Sequence, residues 1–197
     1  MKKKAISSYL QWNLKKETLV DLPCYSNPAV QDEFRKKIWK SCKEEESSDE
    51  NTEIVKILAP LTDNPNTPNS NGTTPIYEAA CKGHTEIVKI LAPLTDNPNA
   101  TSKNGNTPIH MAAYWGYTEI VKTLVPLTDN PNAPNANGDT PIYRAAHNGH
   151  TEIVKILAPL TDNSNAPDRN GRTPSSFATN REIIKILKSY PDQQNHT

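Results

Sequence analysis

Residues 72–104 read GTTPIYEAACKGHTEIVKILAPLTDNPNATSKN, and the same pattern returns with a period of 33 residues at Gly105 and Gly138 and, in part, at Gly171. Self-similarity at a fixed period of this length is typical of stacked structural repeats, in which each unit touches only its neighbours. The period therefore indicates the fold class before any other feature of the chain.

Each unit predicts two short helices joined by a tight turn. Thr74 and Pro75 are typical of a helix start, because threonine caps a free backbone N–H and proline at the first helical position loses no hydrogen bond. Gly83 predicts the left-handed residue that ends this helix. A second helix starts at Thr85, and its apolar residues follow at helical spacing: Ile87, Val88, Ile90, Leu91 and Leu94.

An Asn-Gly dipeptide closes each unit, with asparagine at positions 71, 104, 137 and 170. Both residues of this dipeptide accept positive φ, and the pair is typical of a hairpin turn. The sequence therefore predicts a protruding hairpin finger after each helix pair.

The pattern T-P-I-x-x-A-A-x-x-G-H-T-E-I-V-K-I-L, with N-G before it, closely resembles the ankyrin repeat family. The resemblance is strong over residues 72–170 and weak on both flanks. All seven glycines of the chain occupy two repeat slots: Gly72, Gly105, Gly138 and Gly171, and Gly83, Gly116 and Gly149. The resemblance implies an all-α ankyrin-repeat solenoid of stacked helix-turn-helix units with hairpin fingers, about five repeats including two divergent caps.

The repeat pattern predicts seven segments. Residues 1–28 form an N-terminal extension, in which Ile6, Leu10 and Leu14 predict one short helix that folds over the first repeat or binds a partner or a membrane surface; the alternative is a partly disordered arm. Residues 29–71 form a divergent N-capping repeat, residues 72–104, 105–137 and 138–170 form three regular repeats, residues 171–190 form a shortened C-capping repeat, and residues 191–197 form a frayed tail.

The N-capping repeat predicts a first helix near residues 31–44, with Phe34, Ile38 and Cys42 inward, followed by a longer acidic loop within residues 43–51. In the C-capping repeat, Ser175 and Ser176 stand where Ile142 and Tyr143 stand one repeat earlier. Its second helix also begins three residues early, without the Gly-His turn.

The sequence departs from most ankyrin repeats at one proline slot, occupied by Pro60, Pro93, Pro126 and Pro159. A proline inside a helix costs about 3 kcal/mol. We therefore expect the second helix to end or tighten near Ala92, so that Thr95 needs no left-handed conformation. The last repeat carries Ser189 at this slot, and its second helix should run longer.

Composition narrows the function classes. The chain has 22 basic and 22 acidic residues and therefore no net charge to attract nucleic acid or an anionic membrane. It contains no apolar run of the length that spans a membrane and no signal-peptide core. Cys24, Cys42 and Cys81 show neither disulfide nor metal spacing, which favours reduced thiols in the cytoplasm or the nucleus.

The sequence carries none of the G-x-S-x-G, G-x-x-x-x-G-K or H-E-x-x-H motifs, so we expect no catalysis, no cofactor and no small-molecule substrate. His84 and His150 belong to the Gly-His turn, through which the family ties repeats together, and Tyr117 takes that slot in the third repeat. His110 and His147 could approach each other, but two histidines without a carboxylate or thiolate make a weak metal site.

The repeats differ from one another mainly at slots that, by the resemblance, line the finger tips and the concave face of the inner helices. Aromatic, arginine and methionine side chains at such slots are enriched at binding hot spots. We expect Tyr114 and Trp115 to make the main contact with a partner, and we call this pair the anchor. Tyr77 and Tyr143 occupy the position of the histidine in the family's T-P-L-H pattern, so packing within the protein is the alternative interpretation of these two residues. The predicted protein-binding residues are Tyr77, Lys82, Lys103, His110, Met111, Tyr114, Trp115, Tyr143, Arg144 and His147.

The sequence thus predicts a monomeric, non-catalytic scaffold, adaptor or inhibitor that binds another protein. One alternative is the substrate-recognition subunit of a larger complex such as a ubiquitin ligase. A weaker alternative is a nucleic-acid-associated regulator. A basic stripe on this face would favour that role, but Glu78 and Asp139 interrupt the stripe. The stripe comprises Lys82, Lys103, Arg144, Arg169 and Arg172.

Overall fold

The computed structural model of the protein describes residues 27–44 and 49–190. The short helix predicted around Ile6, Leu10 and Leu14 and the tail predicted at residues 191–197 lie outside the described residues. The middle of the predicted acidic loop, residues 45–48, also lies outside them.

The described residues form ten helices in five consecutive pairs and no strand. The first helices of the pairs, called inner helices here, are α1 (Pro28–Lys43), α3 (Pro75–Lys82), α5 (Pro108–Trp115), α7 (Pro141–His147) and α9 (Pro174–Phe177). The second, or outer, helices are α2 (Asp49–Leu58), α4 (Thr85–Leu91), α6 (Thr118–Leu124), α8 (Thr151–Leu157) and α10 (Arg181–Ser189). Inner helices pack on inner helices and outer helices on outer helices. The predicted all-α stack of helix pairs is therefore confirmed.

The inner helices of the three regular repeats, α3, α5 and α7, begin as the Thr-Pro signal predicts. The Thr74 hydroxyl accepts a hydrogen bond from the backbone N–H of Tyr77 at 3.2 Å, and Pro75 occupies the first helical turn. Thr140 caps α7 in the same way, accepting from the N–H of Tyr143 at 3.2 Å. At the other end of α3, Gly83 takes the left-handed conformation with φ of 76°, as expected of a residue without a Cβ.

The outer helices end at the repeated proline, which confirms the prediction made for this slot. Helix α4 stops at Leu91, and Ala92–Leu94 form one turn of 3-10 helix. Thr95 is extended, with φ of −141°, and so needs no left-handed cap. Helix α10 lacks the proline and runs for 9 residues, whereas α4 has 7.

One apolar core runs along the whole stack. Ile87, Ile120 and Ile153 of successive outer helices are fully buried, as the copied pattern requires. The small residues Ala79 and Ala80 of α3 are also fully buried, which lets neighbouring inner helices approach closely. Burial of each large aliphatic side chain contributes about 1.5–3 kcal/mol, so the repeated isoleucines stabilise every repeat boundary.

An asparagine, buried in the first three loops and half-buried in the fourth, joins each loop to the inner helix that follows it. Its side-chain carbonyl accepts a hydrogen bond from the backbone N–H of the second helical residue, which has no acceptor within the helix. The four pairs are Asn66 with Ile76 (3.0 Å), Asn99 with Ile109 (3.2 Å), Asn132 with Ile142 (2.9 Å) and Asn165 with Ser175 (2.9 Å). These bonds explain why the T-D-N-x-N segment is copied in every repeat.

The fingers reverse the chain, but not with the predicted conformation. Among the described residues only glycines have positive φ, so the expectation that asparagine shares it is wrong. The N–H of Gly105 donates to the carbonyl of Ser102 at 2.8 Å, which makes glycine the fourth residue of the turn and the one position that needs a left-handed φ. Neighbouring fingers are also linked, since the N–H of Lys103 donates to the carbonyl of Asn71 at 3.0 Å.

The first inner helix starts three residues before the predicted position. Asn27 caps it by accepting from the N–H of Ala29 at 2.9 Å, and Pro28 is its first residue rather than the end of the N-terminal extension. Ile38 and Cys42 are buried as predicted, whereas Phe34 is only half-buried and Gln31 takes an inward position. The Gln31 amide bonds the carbonyl of Leu61 and the N–H of Asp63, which satisfies a buried polar side chain.

Candidate protein-interaction face

The predicted binding residues lie on the inner helices α3, α5 and α7 and on the fingers between them, and we call their solvent-facing side the inner-helix face. Lys103, Tyr114, Trp115 and His147 are exposed. Tyr77, Lys82, Met111 and Arg144 are half-buried. His110 and Tyr143 are buried, so the prediction that all ten face solvent is wrong for these two.

Tyr114 and Trp115 form an aromatic pair at the end of α5. Their rings meet edge to face, with centroids 4.9 Å apart, and the residues are 37% and 53% exposed. The backbone beneath them is held from the next repeat, because Nε2 of His150 donates to the carbonyl of Tyr114 at 3.0 Å. The pair is therefore a large apolar surface on a rigid base.

Arg144 connects this aromatic pair to the next repeat. Its Nη2 lies 2.6 Å from Oδ2 of Asp139, whose side chain is almost fully covered. Its guanidinium carbon lies 5.9 Å from the centre of the Tyr114 ring, a cation–π geometry. The Asp139 carboxylate thus holds Arg144 against Tyr114.

A second aromatic group lies beside the first and includes a residue that the sequence analysis missed. Phe177 packs 5.5 Å from His147 and 6.0 Å from Tyr143, measured between ring centres. Phe177 occupies the same position in the last repeat as Glu78, Met111 and Arg144 occupy in the three repeats before it. Extending the comparison of that slot into the last repeat would have found it, but the segment had been assigned only to capping.

Arg172 covers the outer side of Phe177. Its guanidinium carbon lies 5.6 Å from the ring centre, and its Nη2 lies 2.6 Å from Oδ2 of Asp168. Hydrogen bonds from Arg172 and from the backbone N–H groups of Arg172 and Asn170 lower the pKa of Asp168 to about 2. Arg144 and Arg172 are therefore both engaged by carboxylates of their own fingers.

His110 is a capping residue rather than a surface residue. Its Nδ1 accepts from the backbone N–H of Thr107 at 3.1 Å, and its Nε2 donates to the carbonyl of Asp139 at 3.0 Å. The slot lies three residues after the helix cap, so the side chain folds back over Thr107 towards the next finger. Both ring nitrogens are used within the protein, which removes His110 as a metal ligand or a partner contact.

Burial also makes the nearby ionisable groups inert. It raises the pKa of Tyr77 and that of Cys81 to about 12 each, so both side chains are neutral at physiological pH. Burial raises the pKa of Cys42 above its ordinary range as well. Because the thiolate is the reactive form of cysteine, neither thiol is activated as a nucleophile.

The helix pairs, the Thr-Pro caps and the period match a known family. The family model described as ankyrin repeats, in three copies, matches residues 45–135 and 126–197. The chain belongs to the ankyrin repeat family. No curated protein matches the chain. Ankyrin repeats generally mediate protein–protein interaction, and the family is generally non-catalytic. Over the described residues, every helix is too short or too polar to cross a membrane.

The Gly-His turns of this ankyrin stack connect successive repeats, as the resemblance implied. Nε2 of His84 lies 2.8 Å from the carbonyl of Glu44 at the end of α1, and His150 makes the equivalent bond to Tyr114. In the third repeat, Tyr117 replaces this histidine and its ring packs on Gly83. The bonds to the ends of the inner helices hold the inner-helix face in place.

Proposed function

We propose that this ankyrin stack is a non-catalytic module that binds a protein partner on its inner-helix face, with Tyr114 and Trp115 as the anchor. The proposal rests on one observation: Trp115 is 53% exposed at the centre of the face, although it is the largest apolar side chain there. Tryptophan and tyrosine dominate binding hot spots, where truncation costs about 2 kcal/mol or more.

The surroundings of the anchor support this proposal. The Asp139–Arg144 ion pair and the His150 bond hold the aromatic pair in place before any partner arrives. Preorganisation of this kind reduces the conformational entropy lost on binding and so favours affinity. Scaffold, adaptor and inhibitor are the roles that such a rigid surface serves.

The arginines and cysteines of the stack favour one class of partner and one kind of compartment. Arg144 and Arg172 are paired with carboxylates, which weakens the case for a phosphate-binding stripe and favours protein over nucleic acid. Cys42 and Cys81 are free cysteines rather than disulfide partners, which suits a reducing compartment, the cytoplasm or the nucleus. We also propose that the protein acts as a monomer. The proposed boundaries between its repeats lie at residues 72, 105, 138 and 171.

The proposal is tested by affinity capture with the full chain and two variants. Tyr114→Ala/Trp115→Ala removes the anchor, whereas Tyr190→Ala removes an exposed aromatic residue at the end of α10, away from the face. We expect the wild type and Tyr190→Ala to retain a common set of proteins that the double variant loses, with similar thermal unfolding of all three. An identical set from the double variant would refute the anchor.

A further inference from the structure

A second surface runs along the loops that follow the outer helices. We call it the Leu–Asp row, defined by Leu61, Leu94, Leu127 and Leu160 together with Asp63, Asp96, Asp129 and Asp162. Three of its leucines, Leu94, Leu127 and Leu160, are 39%, 45% and 44% exposed. In each repeat the leucine directly follows the proline that ends the outer helix, and it is the last residue of the 3-10 turn. Its side chain therefore points away from the core at the same place in each of these repeats.

The aspartates give the row an uncompensated negative charge. All four are exposed, and none takes part in an ion pair within the described part of the chain. The neighbouring glutamates of the outer helices differ, because Glu86 is paired with Lys89 at 2.8 Å and Glu119 with Lys122 at 2.7 Å. The Leu–Asp row therefore has four carboxylates to offer to a cationic ligand.

Apolar and acidic side chains of the row share one depression. Leu94 lines it together with Asp63 and Asp96, and its volume is about 400 Å³. A ligand seated there would contact a leucine and two carboxylates at once. The complementary ligand is a peptide segment that carries lysines beside apolar side chains.

The chain itself contains such a segment. Residues 1–16 include five lysines and no aspartate or glutamate, and their isoleucine and two leucines recur at every fourth position. The lysines are Lys2, Lys3, Lys4, Lys15 and Lys16, and the recurring residues are Ile6, Leu10 and Leu14. We propose that residues 1–16 bind along the Leu–Asp row of the same molecule.

The place where the described chain begins favours this occupant. Residue 27 lies at the start of α1, and one turn later Gln31 bonds the carbonyl of Leu61 at 2.9 Å and the N–H of Asp63 at 3.0 Å. Leu61 and Asp63 are the first members of the row. The N-terminal segment is therefore tethered at the end of the surface that it is proposed to cover.

The length of the tether allows the segment to reach the rest of the row. Packed helices lie about 8–10 Å apart, so the row extends for about 30 Å over four repeats. Ten residues, 17–26, span up to about 33 Å when extended, and the 16 residues before them add about 24 Å as a helix. Tethering also raises the effective concentration to about the millimolar range, which favours this segment over a free peptide of the same chemistry.

The test uses the full ¹⁵N-labelled chain with a nitroxide at position 8, in the middle of the basic segment. The variant Ser8→Cys/Cys24→Ser/Cys81→Ser carries the label, since Cys42 is fully buried and does not react. We expect the amide signals of residues 94–96 and 127–129 to lose most of their intensity, while those of Tyr114 and Trp115 keep theirs. Broadening that is absent, uniform or centred on the inner-helix face would overturn the proposal.

Two controls distinguish binding along the row from non-specific attraction and from binding between two molecules. Asp96→Asn/Asp129→Asn should restore the signals, whereas Glu86→Gln/Glu119→Gln, which removes the same charge from the outer helices, should leave the broadening unchanged. Equal effects of both pairs would show non-specific attraction and overturn the proposal. Broadening of the same signals in unlabelled ¹⁵N chain, when it is mixed with spin-labelled ¹⁴N chain, would assign the row to a second copy and likewise contradict the proposal.

Discussion

The imidazole of His110 joins two repeats, because its Nε2 donates to the backbone carbonyl of Asp139, 3.0 Å away in the next finger. A carbonyl only accepts and the N–H of Thr107 only donates, so the two bonds together require the neutral Nε2–H tautomer. A proton on Nδ1 would place two donors face to face. The repeat boundary is therefore built for an uncharged histidine.

This arrangement predicts a stability that depends on pH. Burial lowers the pKa of His110 to about 4, from 6.5 for an unperturbed histidine. The unfolded chain therefore binds the proton first as the pH falls, so the His110 contribution is fully present above pH 6.5 and is lost between 6.5 and 4. The loss reaches about 3 kcal/mol.

Denaturant unfolding of the wild type and His110→Gln at several pH values measures this loss. Glutamine keeps a capping side chain at this position without titrating. We expect the difference in the free energy of unfolding, wild type minus variant, to fall as the pH is lowered from 6.5 to 4. A difference that stays constant across this range would show that His110 does not titrate as inferred.

Two glycines in the same slot separate backbone strain from steric clash. Gly116 and Gly149 both have positive φ, 83° and 79°. A Cβ on Gly116 would lie 2.5 Å from Cε1 of His150, whereas a Cβ on Gly149 would meet nothing within 4 Å. Gly149→Ala should therefore cost only the left-handed strain, about 1–2 kcal/mol, and Gly116→Ala clearly more. Equal thermal unfolding midpoints for the two variants would contradict the packing of His150 on Gly116.

The spacing of residues predicted the helix pairs well, because capping and proline act locally. Thr74 and Gly83 set the ends of α3, and Pro93 marks the end of α4, through interactions that lie within one or two turns of the chain. The finger was predicted less well. The Asn-Gly rule describes a two-residue loop, whereas here the N–H of Ser102 donates to the carbonyl of Asn106, so the loop has three residues and only its glycine is left-handed.

The candidate site was predicted in part, since burial depends on the neighbouring repeat. Slot variation identified Tyr114 and Trp115, which are exposed, but also His110 and Tyr143, which are buried. A residue three positions after the helix cap covers the cap and meets the next finger, and one repeat alone does not show this contact. Phe177 was missed because the last repeat was interpreted only as a cap.

The repeated buried asparagine predicts a local stability effect. Asn132 accepts from the N–H of Ile142 at 2.9 Å and is buried, whereas Asn130, in the same loop, is exposed. Asn132→Ala leaves a buried donor without a partner and should lower the free energy of unfolding by about 1–3 kcal/mol. Asn130→Ala removes only a part-buried bond, which its side chain accepts from the N–H of Asn132 at 3.2 Å, and should cost about 1 kcal/mol or less. Chemical denaturation of both variants measures the difference, and the reverse order would contradict the assigned role of Asn132.

The binding role of the inner-helix face is tested most directly by the dissociation constant of a captured partner, measured by calorimetry with purified proteins. We expect Tyr114→Ala/Trp115→Ala to raise the Kd by at least about 30-fold, the equivalent of about 2 kcal/mol. Lys122→Ala, on the outer helix α6, should change it by less than about twofold. An unchanged Kd for the double variant, or a larger loss for Lys122→Ala, would contradict recognition through this face.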